Sequence, residues 1–245
     1  MTNATPMLTG AEDGFQRSPK LADRAVQVVG QRLVASEDAE ATTMPSESEL
    51  AAAFAVSRTV AREVVQTLAR LGMVDVSQGK RMKVRPREDW DYLNPTLLEF
   101  FDDPEEVRHI LTELHETRVL IEPAVAERAA LLADDDQRRA LAAEVEEMRG
   151  LLDDAPAFVR HDVAFHAILA DAAQNRFIRR IVQTSRELLL VSHMKTTTMA
   201  HTLSTALEHH SRICEAVLDR DPERARREME IHLDFGLQFW LGTIS

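Results

Sequence analysis

Three histidines and an aspartate stand where apolar residues are expected. In A-F-V-R-H-D-V-A-F-H-A-I-L-A-D-A-A the inward stripe of a helix is Phe158, Phe165, Leu169 and Ala173, and Asp162 and His166 lie in its middle, one turn apart. His210 falls among Ala206, Leu207, Ile213, Cys214 and Val217, and His232 among Met229, Phe235 and Phe239. A carboxylate turned toward a core is expensive unless something compensates it. Any one buried histidine is more often a hydrogen-bonded core residue than a ligand. An Asp–His pair at i, i+4 joined by two imidazoles from other helices, however, surrounds a point with three nitrogens and one oxygen, a donor set for a divalent ion. The spacing therefore predicts a metal site at Asp162, His166, His210 and His232. Zinc is first among the ions, with nickel, manganese and iron also compatible. The competing expectation is a helical dimerisation protein whose histidines are core only.

Arg118 shares a helix stripe with Leu111, Leu114, Ile121 and Val125. A buried guanidinium seeks a planar anion. That anion is either Glu122, one turn on, or the carboxylate of a bound small acid held jointly with the metal. His161 and His209 fall off their stripes and are expected at the surface; His193 and His201 receive no role. The polar run M-K-T-T-T at 194–198 reads as a helix end.

A second chemistry sits near the N-terminus. Arg58 and Arg62, four residues apart in V-S-R-T-V-A-R-E-V-V, share one helix face with Thr59 and Gln66, while Val60, Ala61, Val64, Leu68 and Leu71 form the opposite, apolar stripe. Long donors near a helix start suit base edges and phosphates in the major groove of DNA. Upstream, Ser46 and Glu49 have capping-box spacing, and Ser57 is a good N-cap for the helix that carries the arginines. Two short helices across a tight turn make a helix-turn-helix. Gly72 ends the second, and M-V-D-V, S-Q-G-K and R-M-K-V read as a basic hairpin, the wing of a winged helix.

Charge is distributed accordingly. The chain of 245 residues has a net charge of −12, yet Ser57–Arg87 holds eight cations against two anions, a local +6, so the remainder carries −18. Few aromatics and abundant Ala, Leu, Glu and Arg favour helix. Cys214 is the only cysteine, which excludes an intrachain disulfide and suits a reducing compartment. The first residues lack a basic and then apolar leader, and the longest aliphatic run nearby, L-L-L-V at 188–191, is too short to cross a bilayer. A cytoplasmic protein without a membrane partner is expected. From about Asp103 onward the pattern is helix after helix, an antiparallel bundle of six or seven, with Pro123 expected to kink the first long one.

The stretch P-S-E-S-E-L-A, V-S-R-T-V-A-R-E-V-V-Q-T-L-A-R-L-G-M-V and Q-G-K resembles the DNA-binding domain of the GntR family of bacterial transcription regulators. R-P-R-E-D-W-D-Y-L-N-P-T-L-L-E-F-F resembles the linker of its FadR subfamily, and D-V-A-F-H, H-S-R-I-C-E-A-V and M-E-I-H-L resemble the three metal motifs of the FCD effector-binding domain. The resemblance implies a homodimer on a pseudo-palindromic operator, with Arg58, Thr59, Arg62 and Gln66 in the major groove, Ser46 and Ser48 beside it, and Gly79 and Lys80 at the wing. It also implies metal at Asp162, His166, His210 and His232, and Arg118 on a small organic acid; the W-D-Y-L-N-P linker is similar to that of regulators answering to sugar acids. Ser48 stands where the family usually has a DNA-contacting arginine, and Arg81 and Met82 are unusual in the wing, so the operator sequence is not carried over. The expected fold is mainly α. Residues 1–17 are a disordered tail, 18–87 a winged helix-turn-helix of three helices and a two-stranded wing, 88–103 a linker, and 104–245 an all-α antiparallel bundle of FCD type. The expected function is a transcription regulator, a repressor, controlled by a carboxylate or sugar acid at the metal site. The alternative is a metal-dependent hydrolase using the Asp/His set to activate water, which lacks a convincing general base and leaves the basic winged helix unexplained.

Overall fold

The computed structural model describes residues 19–36, 43–77, 81–193 and 203–243, with side chains for 21–36, 43–77, 81–190 and 203–236. The chain divides into two compact units, Met1–Trp90 and Asp91–Ser245.

In the first unit, α1 (Pro19–Val34) lies against α3 (Arg58–Arg70), and α3 also packs on α2 (Glu47–Ala53). The capping box forms as expected: Ser46 Oγ accepts from the Glu49 amide, and the Ser46 amide donates to Glu49 Oε2 at 2.7 Å. Ser57 caps α3 by accepting from the Val60 amide. Between the two helices Ala55 takes a positive φ of 51°, which makes the turn tight enough for the pair to form a helix-turn-helix. Ala61, Val64, Val65 and Leu68 are the buried face of α3, so Val65 joins the stripe and Val60 stays half-buried. The wing is short: β1 (Val74–Asp75) pairs antiparallel with β2 (Lys83–Val84), with Val74 opposite Val84, and Thr43 bridges to Lys83 on the other edge. The hairpin tip, residues 78–80, lies outside the described residues.

In the second unit, the stretch expected as a linker contains a short helix, α4 (Pro95–Glu99), capped by Asn94. Six long helices follow: α5 (Pro104–Leu132), α6 (Asp135–Arg149), α7 (Ala155–Ala172), α8 (Arg176–His193), α9 (Leu203–Leu218) and α10 (Pro222–Thr243). Helix α5 continues through Pro123, which can give no amide hydrogen to the Val119 carbonyl. It packs chiefly on α10 and also meets α7, α8 and α9; α6 joins α7 and α9. Phe165, Leu169, Leu141, Met148, Ile213, Val217 and Met229 are fully buried where these helices meet. No described helix is long and apolar enough to cross a membrane.

Gly72, just past α3, has φ +71°, and a Cβ there would lie 2.5 Å from the Asp89 carbonyl oxygen. Both the left-handed backbone and the backbone contact demand glycine. Gly72→Ala should therefore cost about 2 kcal/mol or more, read as a lower urea midpoint for the N-terminal unit. An unchanged midpoint would show that the turn relaxes freely.

Candidate metal centre and nucleic-acid face

Helix periodicity sets the first half of the centre: α7 carries Asp162 and His166 one turn apart, pointing into the bundle. Helix α9 brings His210 and α10 brings His232. One ligand atom from each of the four lies within 4.8 Å of the others. The imidazole centroids are 5.4 Å apart for His166 and His210, 4.6 Å for His210 and His232, and 5.2 Å for His166 and His232. All three histidines are buried, and Asp162 is nearly so.

Hydrogen bonds at the far side of two rings fix where their lone pairs point. His166 Nδ1 lies 3.0 Å from Glu122 Oε2, and His210 Nδ1 lies 2.7 Å from the Ala206 carbonyl oxygen; each acceptor requires the proton on Nδ1. In the neutral ring that leaves Nε2 as the bare acceptor. Neither it nor Nδ1 of His232 has a hydrogen-bond partner. His210 Nε2 nevertheless sits 2.7 Å from Asp162 Oδ1 and His166 Nε2 3.8 Å from it. Electron-rich atoms crowded this closely, without a hydrogen aligned between them, repel unless a cation is shared. The donor set fits a divalent ion on that ground.

Two arginines hold the anions of the site. Arg186 on α8 donates from one terminal nitrogen to Asp162 Oδ2 at 2.9 Å and from the other to Glu122 Oε2 at 2.8 Å. Arg118 gives Nε to Glu122 Oε1 at 2.6 Å, its one hydrogen bond among the described residues. Burial pushes the carboxyl groups of Glu122 and Asp162 upward, but their neighbours together outweigh it, Arg118 and Arg186 for Glu122 and Arg186 with the imidazoles of His210 and His166 for Asp162, and both stay well below the usual carboxylate range. His166 is lowered to about 4 by burial and by Arg186, against the opposing pull of Glu122. Burial and the neighbouring imidazoles lower His232 well below its ordinary value. His166 and His232 are consequently neutral at pH 7, the form that ligates metal.

The sequence reading missed Arg186, although a guanidinium among Val182, Ser185, Leu188 and Leu189 carries the same signal that exposed the histidines. Of the two readings of Arg118, the structure forms the ion pair with Glu122, made through Nε. His209, expected at the surface, is buried with its ring 5.2 Å from Phe235 and 6.2 Å from His232. Helix α9 is covered by α5, α6 and α10, so more than one stripe of it is inside. His161 is half-buried, its Nδ1 2.8 Å from Glu144. His115, unremarked in the sequence, is also buried. His201 and the 194–198 run lie outside the described residues, as does the side chain of His193.

On α3, Arg58, Thr59, Arg62 and Gln66 are all exposed on the face away from the core. Arg62 Nε lies 3.3 Å from Glu47 on α2. Ser48 is exposed, its hydroxyl 3.1 Å from that of Ser46, which is itself engaged in the capping box. Gly79 and Lys80 lie outside the described residues.

Comparison with known proteins adds three findings. Residues 21–84 match the family described as bacterial regulatory proteins, gntR family, and residues 113–235 match the FCD domain. The HTH-type transcriptional repressor NanR of Klebsiella aerogenes is 30% identical over 219 residues, covering 87% of this chain and 83% of that protein, and NanR of Escherichia coli is 30% identical over 227 residues, covering 90% and 84%. Among solved structures, Lar of Listeria monocytogenes superposes with a TM-score of 0.60 at 18% identity, covering 89% of this chain and 95% of that one. Escherichia coli McbR/YncC gives 0.53 at 12%, covering 92% and 99%; at these identities the likeness is of fold.

Removing Arg186 takes from the buried Glu122 and the partly buried Asp162 the guanidinium they share. Arg186→Met should destabilise the metal-free protein by about 3–5 kcal/mol in urea unfolding, and adding Glu122→Gln should recover part of that loss. Full additivity of the two substitutions would dissolve the clamp.

Proposed function

This chain belongs to the gntR family of bacterial regulatory proteins, and from that premise we propose a repressor whose grip on its operator is set by a small carboxylate, such as a sugar acid, bound at a metal in the C-terminal bundle. That it is a DNA-binding transcription regulator follows from the family. Family and relatives are regulators, not enzymes, so the hydrolase alternative falls. Repression is carried over from NanR, the named activity of the relatives.

The observation that carries the effector reading is the cluster of three buried imidazole nitrogens and one carboxylate, two of its nitrogens held as bare acceptors by bonds on the other side of their rings. Asp162, His166, His210 and His232 would hold the ion, zinc before nickel, manganese or iron. When bound, it supplies Lewis-acid attraction for an anionic oxygen. Charge accounting favours an anion. Asp162 and Glu122 are balanced by Arg118 and Arg186, so a divalent ion leaves the pocket doubly positive. Arg118 keeps its terminal nitrogens for a planar carboxylate.

The DNA half of the reading rests on the exposed α3 face. Arg58, Thr59, Arg62 and Gln66 would enter the major groove, and Gly79 and Lys80 of the wing would meet the backbone or minor groove, with Ser46 and Ser48 at the margin. A homodimer in the cytoplasm would place two such faces on a pseudo-palindrome. Effector binding would shift the bundle and alter the fit to the paired half-sites, and the coupling is reciprocal.

Metal analysis of the purified protein should find about one divalent ion per chain, and almost none in His210→Ala/His232→Ala. Small carboxylic acids should raise the melting temperature of the loaded wild type and not of that variant; a wild type that takes up no metal would end this reading. For the DNA face, Arg62→Ala should weaken specific operator binding by about 1–3 kcal/mol, measured by fluorescence anisotropy. Unaltered binding would mean α3 is not the reading helix.

A further inference from the structure

One further buried polar group on α5 belongs neither to the four candidate ligands nor to the charges that pair with them. His115 is 6% exposed, and its Nδ1 has no hydrogen-bond partner. On α5 it stands three residues before Arg118 and seven before Glu122, and all three are buried. Residues at these spacings share one helix face, so His115, Arg118 and Glu122 form a polar ladder along the inner side of α5. With a rise of 1.5 Å per residue, His115 is about 4.5 Å beyond Arg118 and about 10 Å beyond Glu122 along the axis. Among the charges it feels are those of Arg118, Glu122 and Asp234, the last only two residues past the ligand His232 on α10. Helix α5 packs chiefly on α10, which carries the candidate ligand His232.

Burial first, and then Arg118, lowers the His115 pKa, so the ring is neutral at pH 7. A neutral imidazole offers one donor and one acceptor, which complements an alcohol and not a carboxylate. The ladder is thus graded: nitrogens and a carboxylate for a cation, then a guanidinium for an anion, then an uncharged ring for a hydroxyl.

Resting on the effector reading above, we propose that His115 is the distal anchor of the effector site, hydrogen-bonding a hydroxyl of a polyhydroxy acid whose carboxylate is held at the Asp162/histidine cluster and Arg118. Such a site would select by length. A two-carbon acid reaches the cation and Arg118 but stops short of His115. A sugar-acid chain lying along α5 engages all three, and its hydroxyl supplies the partner that Nδ1 lacks.

The test is calorimetric titration of zinc-loaded, full-length protein with gluconate, a six-carbon polyhydroxy acid, and glycolate, its two-carbon counterpart. Zinc content and melting temperature without acid serve as controls for each variant. Wild type should bind gluconate at least about tenfold tighter than glycolate. His115→Leu should lose about tenfold for gluconate and less than about twofold for glycolate, and His115→Gln should recover most of the loss. If His115→Leu does not fold, His115→Asn, polar but too short, carries the same expectation. Selectivity retained in these variants, or equal losses for both acids, overturns the assignment and leaves an ordinary water-satisfied histidine. Gluconate binding no tighter than glycolate on wild type overturns this proposal alone. If neither acid binds the loaded wild type, the effector reading falls and takes this one with it.

Discussion

Arg186 is the residue on which the C-terminal unit turns. Burying Asp162 beside Glu122 would be prohibitive for two bare carboxylates, and a single guanidinium from α8 reaches both. Its position keeps Asp162 ionised and available on α7, and through Glu122 it orients His166 and steadies Arg118. Five side chains from three helices thereby share one electrostatic balance. Loss of one member leaves the others in the wrong charge state. The chemistry of the centre is therefore inseparable from the packing of α5, α7 and α8, and it explains why polar groups occupy the middle of otherwise apolar stripes.

The N-terminal unit solves the opposite problem, presenting charge instead of hiding it. Its core of Leu50, Ala61, Val64, Leu68, Leu71, Met73 and Val84 is small and aliphatic, and the cations of α3 stand clear of it. Rigid capping at Ser46 and Ser57 holds the two helices to length, so the exposed side chains start from a defined platform. A basic module on an acidic body also keeps the rest of the surface from competing for a polyanion.

Much of this was legible in the sequence because it depends on local periodicity. The capping box, Ser57, the glycine after α3 and the alignment of Asp162 with His166 are all set within one or two helical turns. The meeting of His166, His210 and His232 was legible only as an inference from polarity in stripes, since their convergence depends on how α7, α9 and α10 cross. What escaped is what several neighbours decide together. His209 lies off the stripe of its own helix, yet three other helices cover α9 and the ring is buried. Arg186 carries the same polar-in-apolar signal as the histidines, but its partners come from two other helices and no local spacing names them. Lys80 and Gly79 fall at the wing tip, outside the described residues.

Pro123 gives α5 a mechanical property. By deleting the rung to the Val119 carbonyl, it leaves the helix most compliant one residue after Glu122, where the ionic cluster pulls on it. Val119 is partly exposed, so water can take the orphaned carbonyl without penalty. A rod of 29 residues with a soft joint beside its most heavily loaded residue bends there before it slides. The joint thus separates the half of α5 that carries Arg118 and Glu122 from the half that packs Val125, Ala126, Ala129 and Ala130 into the core.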